Sequence, residues 1–135
     1  MEARFDWAPF GPSSTEPAAG PSRLPARRLA IVTCMDARID PLSALGLRPG
    51  DAHVIRNAGA LVTDDVVRSL ELSRSAAGTT AAVLVTHSDC VALGSDDDAV
   101  RTTARDGVER LRAAIPGLEV SGRFYDVASG RVSPL

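Results

Sequence analysis

Two short runs of apolar residues constrain the fold of this chain more than any other feature. Leu29 to Thr33 and Ala81 to Val85 show none of the polar alternation of a half-buried strand. Runs of this kind are typical of strands that are covered on both faces, as in parallel sheets flanked by helices. They predict an α/β domain rather than a sheet with one face in solvent.

Further segments predict helices and strands that alternate with these runs. A short helix is expected over Pro41 to Leu47 and a strand over His53 to Ile55. Thr63 suits the N-cap of a helix that Gly78 would end. Its expected buried face carries the apolar residues Val66, Val67, Leu70 and Leu72.

The C-terminal half continues the alternation. Ser95 and the aspartates at 96–98 predict the start of a helix that ends before Pro116, and we favour this capping role over a metal site. From Leu118 the chain alternates into one or two terminal strands with a turn at Ser129-Gly130. The predicted fold is three-layer, with a mostly parallel central sheet flanked by helices.

Composition sets the domain limits and the class of protein. The 135 residues predict one domain. Residues 28–135 would form the α/β domain. Residues 1–27 are rich in proline and read as an extended arm, whose aromatic residues indicate that it packs on something; the alternative is a disordered tail. These aromatic residues are Phe5, Trp7 and Phe10.

Charge and hydropathy exclude several partners. A net charge of −2 argues against a strongly basic nucleic-acid domain. No apolar stretch reaches the roughly 18 residues of a membrane-spanning helix, and no signal peptide is visible, so we expect a cytoplasmic protein. In that compartment the two cysteines, Cys34 and Cys90, are expected to be free, metal-bound or reactive rather than joined in a disulfide.

Reactive residues follow both apolar runs. The sequence Cys34-Met35-Asp36-Ala37-Arg38 comes after the first run, and His87-Ser88-Asp89-Cys90 comes after the second. The carboxyl ends of parallel strands lie at one edge of a sheet, so we expect the two clusters to meet there. Two thiolates and one imidazole form a donor set for zinc that leaves a fourth position open. The alternatives are buried thiols or a redox pair.

Asp36 and Arg38 are spaced to form a charge-assisted pair, for which the alternative is an ordinary salt bridge at a strand end.

The Cys-x-Asp-x-Arg and His-x-x-Cys motifs, with Arg56-Asn57-Ala58-Gly59 between them, resemble the β-class carbonic anhydrases. The resemblance runs from about Leu29 to Cys90 and resumes near Phe124 to Gly130. The residues of these motifs are similar to those of small actinobacterial members of the family.

The resemblance implies an activity and a role for each residue. Zinc would be held by Cys34, His87 and Cys90, and its fourth position would hold water, or Asp36 in a closed state. Arg38 would pair with Asp36 and draw it off the metal. The implied reaction is the reversible hydration of carbon dioxide to bicarbonate, a lyase reaction in which hydroxide on the zinc is the nucleophile and the Asp36–Arg38 dyad orients it.

The resemblance also assigns a substrate pocket to His53, Ala58, Gly59, Leu72 and Val91. Val91 stands where the family usually has glycine, and Leu72 falls where plant-like members place a tyrosine. The region between Cys90 and the last strands is shorter than in relatives. A homodimer or a dimer of dimers is implied, with the cleft at the subunit interface and the arm embracing the partner. The alternatives are a carbonyl sulfide or carbon disulfide hydrolase, and a zinc-binding dimer with little catalysis.

Overall fold

The computed structural model describes residues 22–135. They form a five-stranded sheet in the order β2-β1-β3-β4-β5. The first four strands are mutually parallel, and β5 is antiparallel to β4. The strands are β1 (Leu29–Cys34), β2 (Ala52–Asn57), β3 (Ala81–His87), β4 (Glu119–Tyr125) and β5 (Val132–Pro134). The mostly parallel sheet predicted from the apolar runs is therefore confirmed.

Helices cover both faces of this sheet. They are α1 (Pro41–Ala44), α2 (Asp64–Ala77) and α3 (Asp97–Ala114). Residues of β1 alternate between two apolar clusters: Ala30 and Val32 pack with α2 and α3, whereas Leu29 and Ile31 pack with the leucines around α1. Every residue of β1 and β3 is buried, which explains why their sequences lack polar alternation. The three layers match the prediction.

The helix ends follow the capping signals with one shift. Thr63 caps α2 and accepts a hydrogen bond from the backbone N–H of Val66, and Gly78 ends the helix in the left-handed conformation. Asp96, rather than Ser95, caps α3, where its Oδ1 accepts from the backbone N–H groups of Asp98 and Ala99. The aspartate run thus acts as a helix cap, as expected.

The prediction for the buried face of α2 is wrong at Leu72, which is 57% exposed. The buried residues of α2 are Val66, Leu70 and Ser73, which follow the i, i+4, i+7 spacing of one helix face. Two residues correspond to about 200° of rotation around a helix, so Leu72 points away from the core that Leu70 enters.

The predicted arm falls mostly outside the described residues. Phe5, Trp7 and Phe10 lie there, and so does most of the segment 1–27. Its described end lies beside the turn before β2. There the N–H groups of Ala26 and Arg27 donate to the carbonyls of Gly50 and Asp51. Between residues 22 and 135, no helix combines the length and apolar character needed to cross a membrane.

Candidate metal centre

The two reactive clusters meet at the carboxyl edge of the sheet. Cys34 is the last residue of β1 and His87 is the last residue of β3, and these two strands are paired in parallel. Cys90 follows in the loop after β3. Its backbone N–H and carbonyl exchange hydrogen bonds with Gly94. The strands therefore carry two of the three potential ligands, and a short closed loop carries the third.

The three potential ligands converge on one point. One atom each from Cys34, His87 and Cys90 lies within 4.8 Å of the other two, and all three residues are buried. The two sulfur atoms are 3.9 Å apart and the cysteines are free. Two sulfurs bound at about 2.3 Å to one tetrahedral ion would lie about 3.8 Å apart. The spacing therefore fits two ligands of one metal ion.

The imidazole of His87 is oriented for the same point. Its Nδ1 lies 2.7 Å from the carbonyl oxygen of Ser88, to which it donates, so Nε2 carries the free lone pair. Nε2 is buried and makes no hydrogen bond within the described part of the chain. An orphaned buried nitrogen is costly unless something else binds it, and a metal ion would do so.

The electrostatics of the thiols also favour a cation. Burial raises the pKa of the Cys90 thiol, and the neighbouring Cys34 raises it further. The Cys34 sulfur accepts a hydrogen bond from the backbone N–H of Gly59 at 3.3 Å. A positive charge beside the two sulfurs would favour the ionised form of Cys90. The donor set therefore fits a metal ion.

A carboxylate lies beside this centre. Asp36 accepts hydrogen bonds from the Arg38 guanidinium at 3.0 and 2.7 Å and from the Arg38 backbone N–H at 2.8 Å. These bonds hold the pKa of the Asp36 carboxyl well below its usual range. Its Oδ2 lies 3.9 Å from Nε2 of His87. An ionised carboxylate, paired with Arg38, thus borders the potential metal position.

Arg56 organises the loop after β1, a role that the sequence reasoning did not assign. Its guanidinium donates to the backbone carbonyls of Cys34, Asp36 and Ile39 at 2.7, 2.8 and 3.2 Å. It thereby fixes the backbone on both sides of Asp36. The motif Arg56-Asn57-Ala58-Gly59 was the available signal, but it does not say where the arginine side chain points.

The loop after β3 is anchored to the end of β4. Ser88 Oγ donates to Asp126 at 3.2 Å and accepts from the Val127 backbone N–H. Hydrogen bonds, first of all from Ser129, lower the pKa of Asp126, so this acceptor is ionised at neutral pH. The anchor holds the residue next to His87 in place.

An open cleft of about 700 Å³ leads to the centre. Two of the predicted pocket residues, Ala58 and Val91, line it, together with Met35 and Ala92. Gly59 is buried, and its backbone N–H donates to the Cys34 sulfur. Val91 lines the cleft although its side chain is fully exposed in the single chain.

The other two predicted pocket residues lie elsewhere within one chain. His53 and Leu72 line a separate groove of about 350 Å³ between β2 and α2. His53 is near the start of β2, whereas the cleft lies at the carboxyl ends of the strands, and its Nδ1 is 2.7 Å from Ser73 Oγ. The two side chains would border a cleft only if they came from a second copy.

Comparisons with known proteins identify the family of this chain. A model of the carbonic anhydrase family matches residues 29–116. Beta-carbonic anhydrase 1 of Mycobacterium tuberculosis is 37% identical over 134 aligned positions. The match covers 81% of this chain and 82% of that protein. This chain belongs to the β-carbonic anhydrase family.

Two further comparisons describe the range of this family. A solved carbonic anhydrase from Streptococcus mutans superposes with a TM-score of 0.78 at 36% identity, covering 87% of this chain and 86% of that one. A carbon disulfide hydrolase from Saccharolobus solfataricus is 53% identical, but over only 64 residues, which are 47% of this chain and 31% of the hydrolase. A solved carbon disulfide hydrolase nevertheless superposes over 98% of this chain and 84% of its own, with a TM-score of 0.70 at 26% identity, so both kinds of enzyme share this fold.

Removing one potential ligand tests the metal centre. We expect wild-type protein to retain about one metal ion per chain after dialysis, and Cys90→Ser to lose most of it, because two remaining ligands bind weakly. Metal content is measured by plasma mass spectrometry. Met35→Leu, a change in the neighbouring cleft wall, is the control and should retain the ion. Full metal content in Cys90→Ser would contradict this assignment.

Proposed function

We propose that this chain catalyses the reversible hydration of carbon dioxide to bicarbonate, with a zinc ion held by Cys34, His87 and Cys90. The observation that carries the proposal is the position of an ionised Asp36 beside three converging buried donors, at the base of an apolar cleft. Membership of the β-carbonic anhydrase family supports it over most of the chain.

Zinc suits this donor set because thiolate and imidazole are the ligands it takes in tetrahedral sites. When bound, zinc supplies Lewis acidity that lowers the pKa of a coordinated water. Cys34, His87 and Cys90 would hold the ion beside the cleft. Two thiolates offset the charge of the ion, so a neighbouring group that orients the water matters more than in a site with neutral ligands.

Asp36 is that neighbouring group. Arg38 donates two hydrogen bonds to its Oδ1 and one to its Oδ2, so Oδ2 retains a lone pair that can accept a further hydrogen bond. Because its pKa is held low, Asp36 stays an acceptor and does not store the proton. It is therefore suited to orienting a water molecule. We also propose a closed state, in which Asp36 would separate from Arg38 and bind the metal ion itself.

The cleft wall matches a small apolar substrate. Ala58, Val91 and Ala92 present only aliphatic groups beside the donors. Such a surface tolerates carbon dioxide without binding it through hydrogen bonds. Carbonyl sulfide and carbon disulfide are similar in shape, and a solved carbon disulfide hydrolase shares the fold at 26% identity. The similarity to a carbonic anhydrase is greater in sequence, at 37% identity over 81% of this chain. Carbon dioxide is therefore the favoured substrate.

Substitution of Asp36 tests the proposed reaction. We expect Asp36→Ala to keep its zinc but to lose about 10- to 100-fold in kcat for carbon dioxide hydration, because the orienting acceptor is gone. Stopped-flow hydration assays and metal analysis measure the two properties, with Asp106→Ala on α3 as the control. Wild-type protein that carries zinc but hydrates neither carbon dioxide nor carbonyl sulfide would refute the enzyme proposal.

We further propose a cytoplasmic homodimer, or a dimer of dimers, in which residues 1–27 pack on the partner. Three features support it. β2 is an edge strand of the described sheet, and Val54 on this strand is exposed. The described end of the arm lines an apolar groove. Arg23 and Leu24 line this groove with Leu72. Two free, closely spaced cysteines suit a reducing compartment.

Trp7 is the only tryptophan of the chain and reports directly on the arm. If the arm packs on a partner, Trp7 fluorescence should be blue-shifted at high concentration and shift to the red on dilution. Sedimentation should show dissociation over the same concentration range. Emission typical of exposed tryptophan in a stable dimer would contradict the role of the arm, and a monomer at all concentrations would contradict the dimer.

A further inference from the structure

The guanidinium of Arg38 joins the two loops that carry the potential ligands. On one side its Nε and Nη2 donate to Asp36, at 3.0 and 2.7 Å. On the other side its Nη1 donates to the carboxylate of Asp89 at 3.1 Å, and its Nη2 donates to the Asp89 backbone carbonyl at 2.8 Å. Asp36 follows β1, whereas Asp89 lies between His87 and Cys90.

We propose that Asp89 is a positioning residue, which fixes the Arg38 guanidinium so that Arg38 holds Asp36 in its orienting position. This inference rests on the proposed hydration reaction. Asp89 borders the cleft, but its carboxylate and its carbonyl accept hydrogen bonds from Arg38. It acts through Arg38, and it couples the geometry of the loop after β1 to that of the loop after β3.

The need for a second anchor follows from the exposure of the arginine. The Arg38 side chain is 48% exposed, whereas that of Asp36 is only 8% exposed. A long, exposed side chain has many rotamers, and holding it in one of them costs conformational entropy. Asp36 and Arg38 also lie on the same loop, so their pairing alone does not locate them relative to His87. The bonds to Asp89 provide that reference, since Asp89 is two residues from His87.

The backbone of Asp89 supports this role. Its φ is +52°, a left-handed conformation that asparagine, aspartate and glycine adopt most readily. In this conformation both the carbonyl and the carboxylate of one residue reach the same guanidinium. Most other residues would be strained here and would offer only the carbonyl. Aspartate satisfies both the backbone and the side-chain requirement.

Two substitutions separate the side chain from the backbone. Asp89→Asn keeps the size and the left-handed preference but removes the charge, and Asp89→Gly removes the side chain while relaxing φ. We expect kcat for carbon dioxide hydration to fall about two- to fivefold in both, the range of an exposed ion pair. KM and zinc content should not change, because the three ligands and the aliphatic part of the cleft wall remain. Asp106→Asn serves as the control.

Coupling to Arg38 distinguishes positioning from a general structural effect. In an Arg38→Ala background, Asp89→Asn should cost no further activity, because Asp89 then has no guanidinium to fix. Equal losses in both backgrounds, unchanged kcat in the single variants, or loss of zinc from them would each overturn the proposal.

A second readout does not depend on activity. The Nε–H signal of Arg38, assigned by its absence in Arg38→Ala, should exchange with solvent severalfold faster in Asp89→Asn, as its bond to Asp36 opens more often. Unchanged exchange would overturn the proposal. If wild-type protein proved inactive, the hydration proposal would fail, while the exchange rate would still decide whether Asp89 positions Arg38.

Discussion

The parallel pairing of β1 with β3 brings Cys34 and His87 to the same edge of the sheet, and the remaining features of the centre depend on it. The strands are paired from Leu29 with Ala81 to Thr33 with Val85, so β3 extends beyond the pairing and ends at His87. Both strands are buried on both faces, where close packing against the helices opposes a shift of either strand. A slip of one strand by one residue would turn its potential ligand to the opposite face of the sheet.

Two arginines hold the loops that follow these strands. Arg56 satisfies three carbonyls of the loop after β1, while Arg38 joins that loop to the loop after β3. The two guanidinium groups therefore hold the loops in place at this edge, beyond the ends of the strands. The result is an ionised Asp36 at a fixed distance from buried, electron-rich donors. This is the combination of rigidity and charge that a hydration site needs.

The sequence predicted the sheet and the convergence of the donors well, because both follow from local patterns. Continuous apolar runs identified β1 and β3, and the position of Cys34 and His87 after them implied a shared edge. The predicted buried face of α2 wrongly includes Leu72, because the spacing of its apolar residues fits two different faces of a helix. The pairing of Arg38 with Asp89 escaped prediction, since it requires two loops to meet and a left-handed backbone at Asp89. No pattern within either loop encodes that contact.

The position of His53 shows the same limit. Alignment by motif placed it in the pocket wall, but within one chain it lies near the start of β2 and contacts Ser73. Motif spacing gives the order of residues along a strand and not which end of the sheet holds the cleft. Contributions from a second chain lie beyond what patterns within one chain can define.

X-ray absorption at the zinc edge of the purified protein tests the central claim most directly, since it counts the ligands of the bound ion. The account predicts two sulfur ligands at about 2.3 Å, one imidazole nitrogen and one further oxygen at about 2.0 Å. A first coordination shell without sulfur, or with a single sulfur, would contradict the assignment of Cys34 and Cys90 and with it the proposed reaction site.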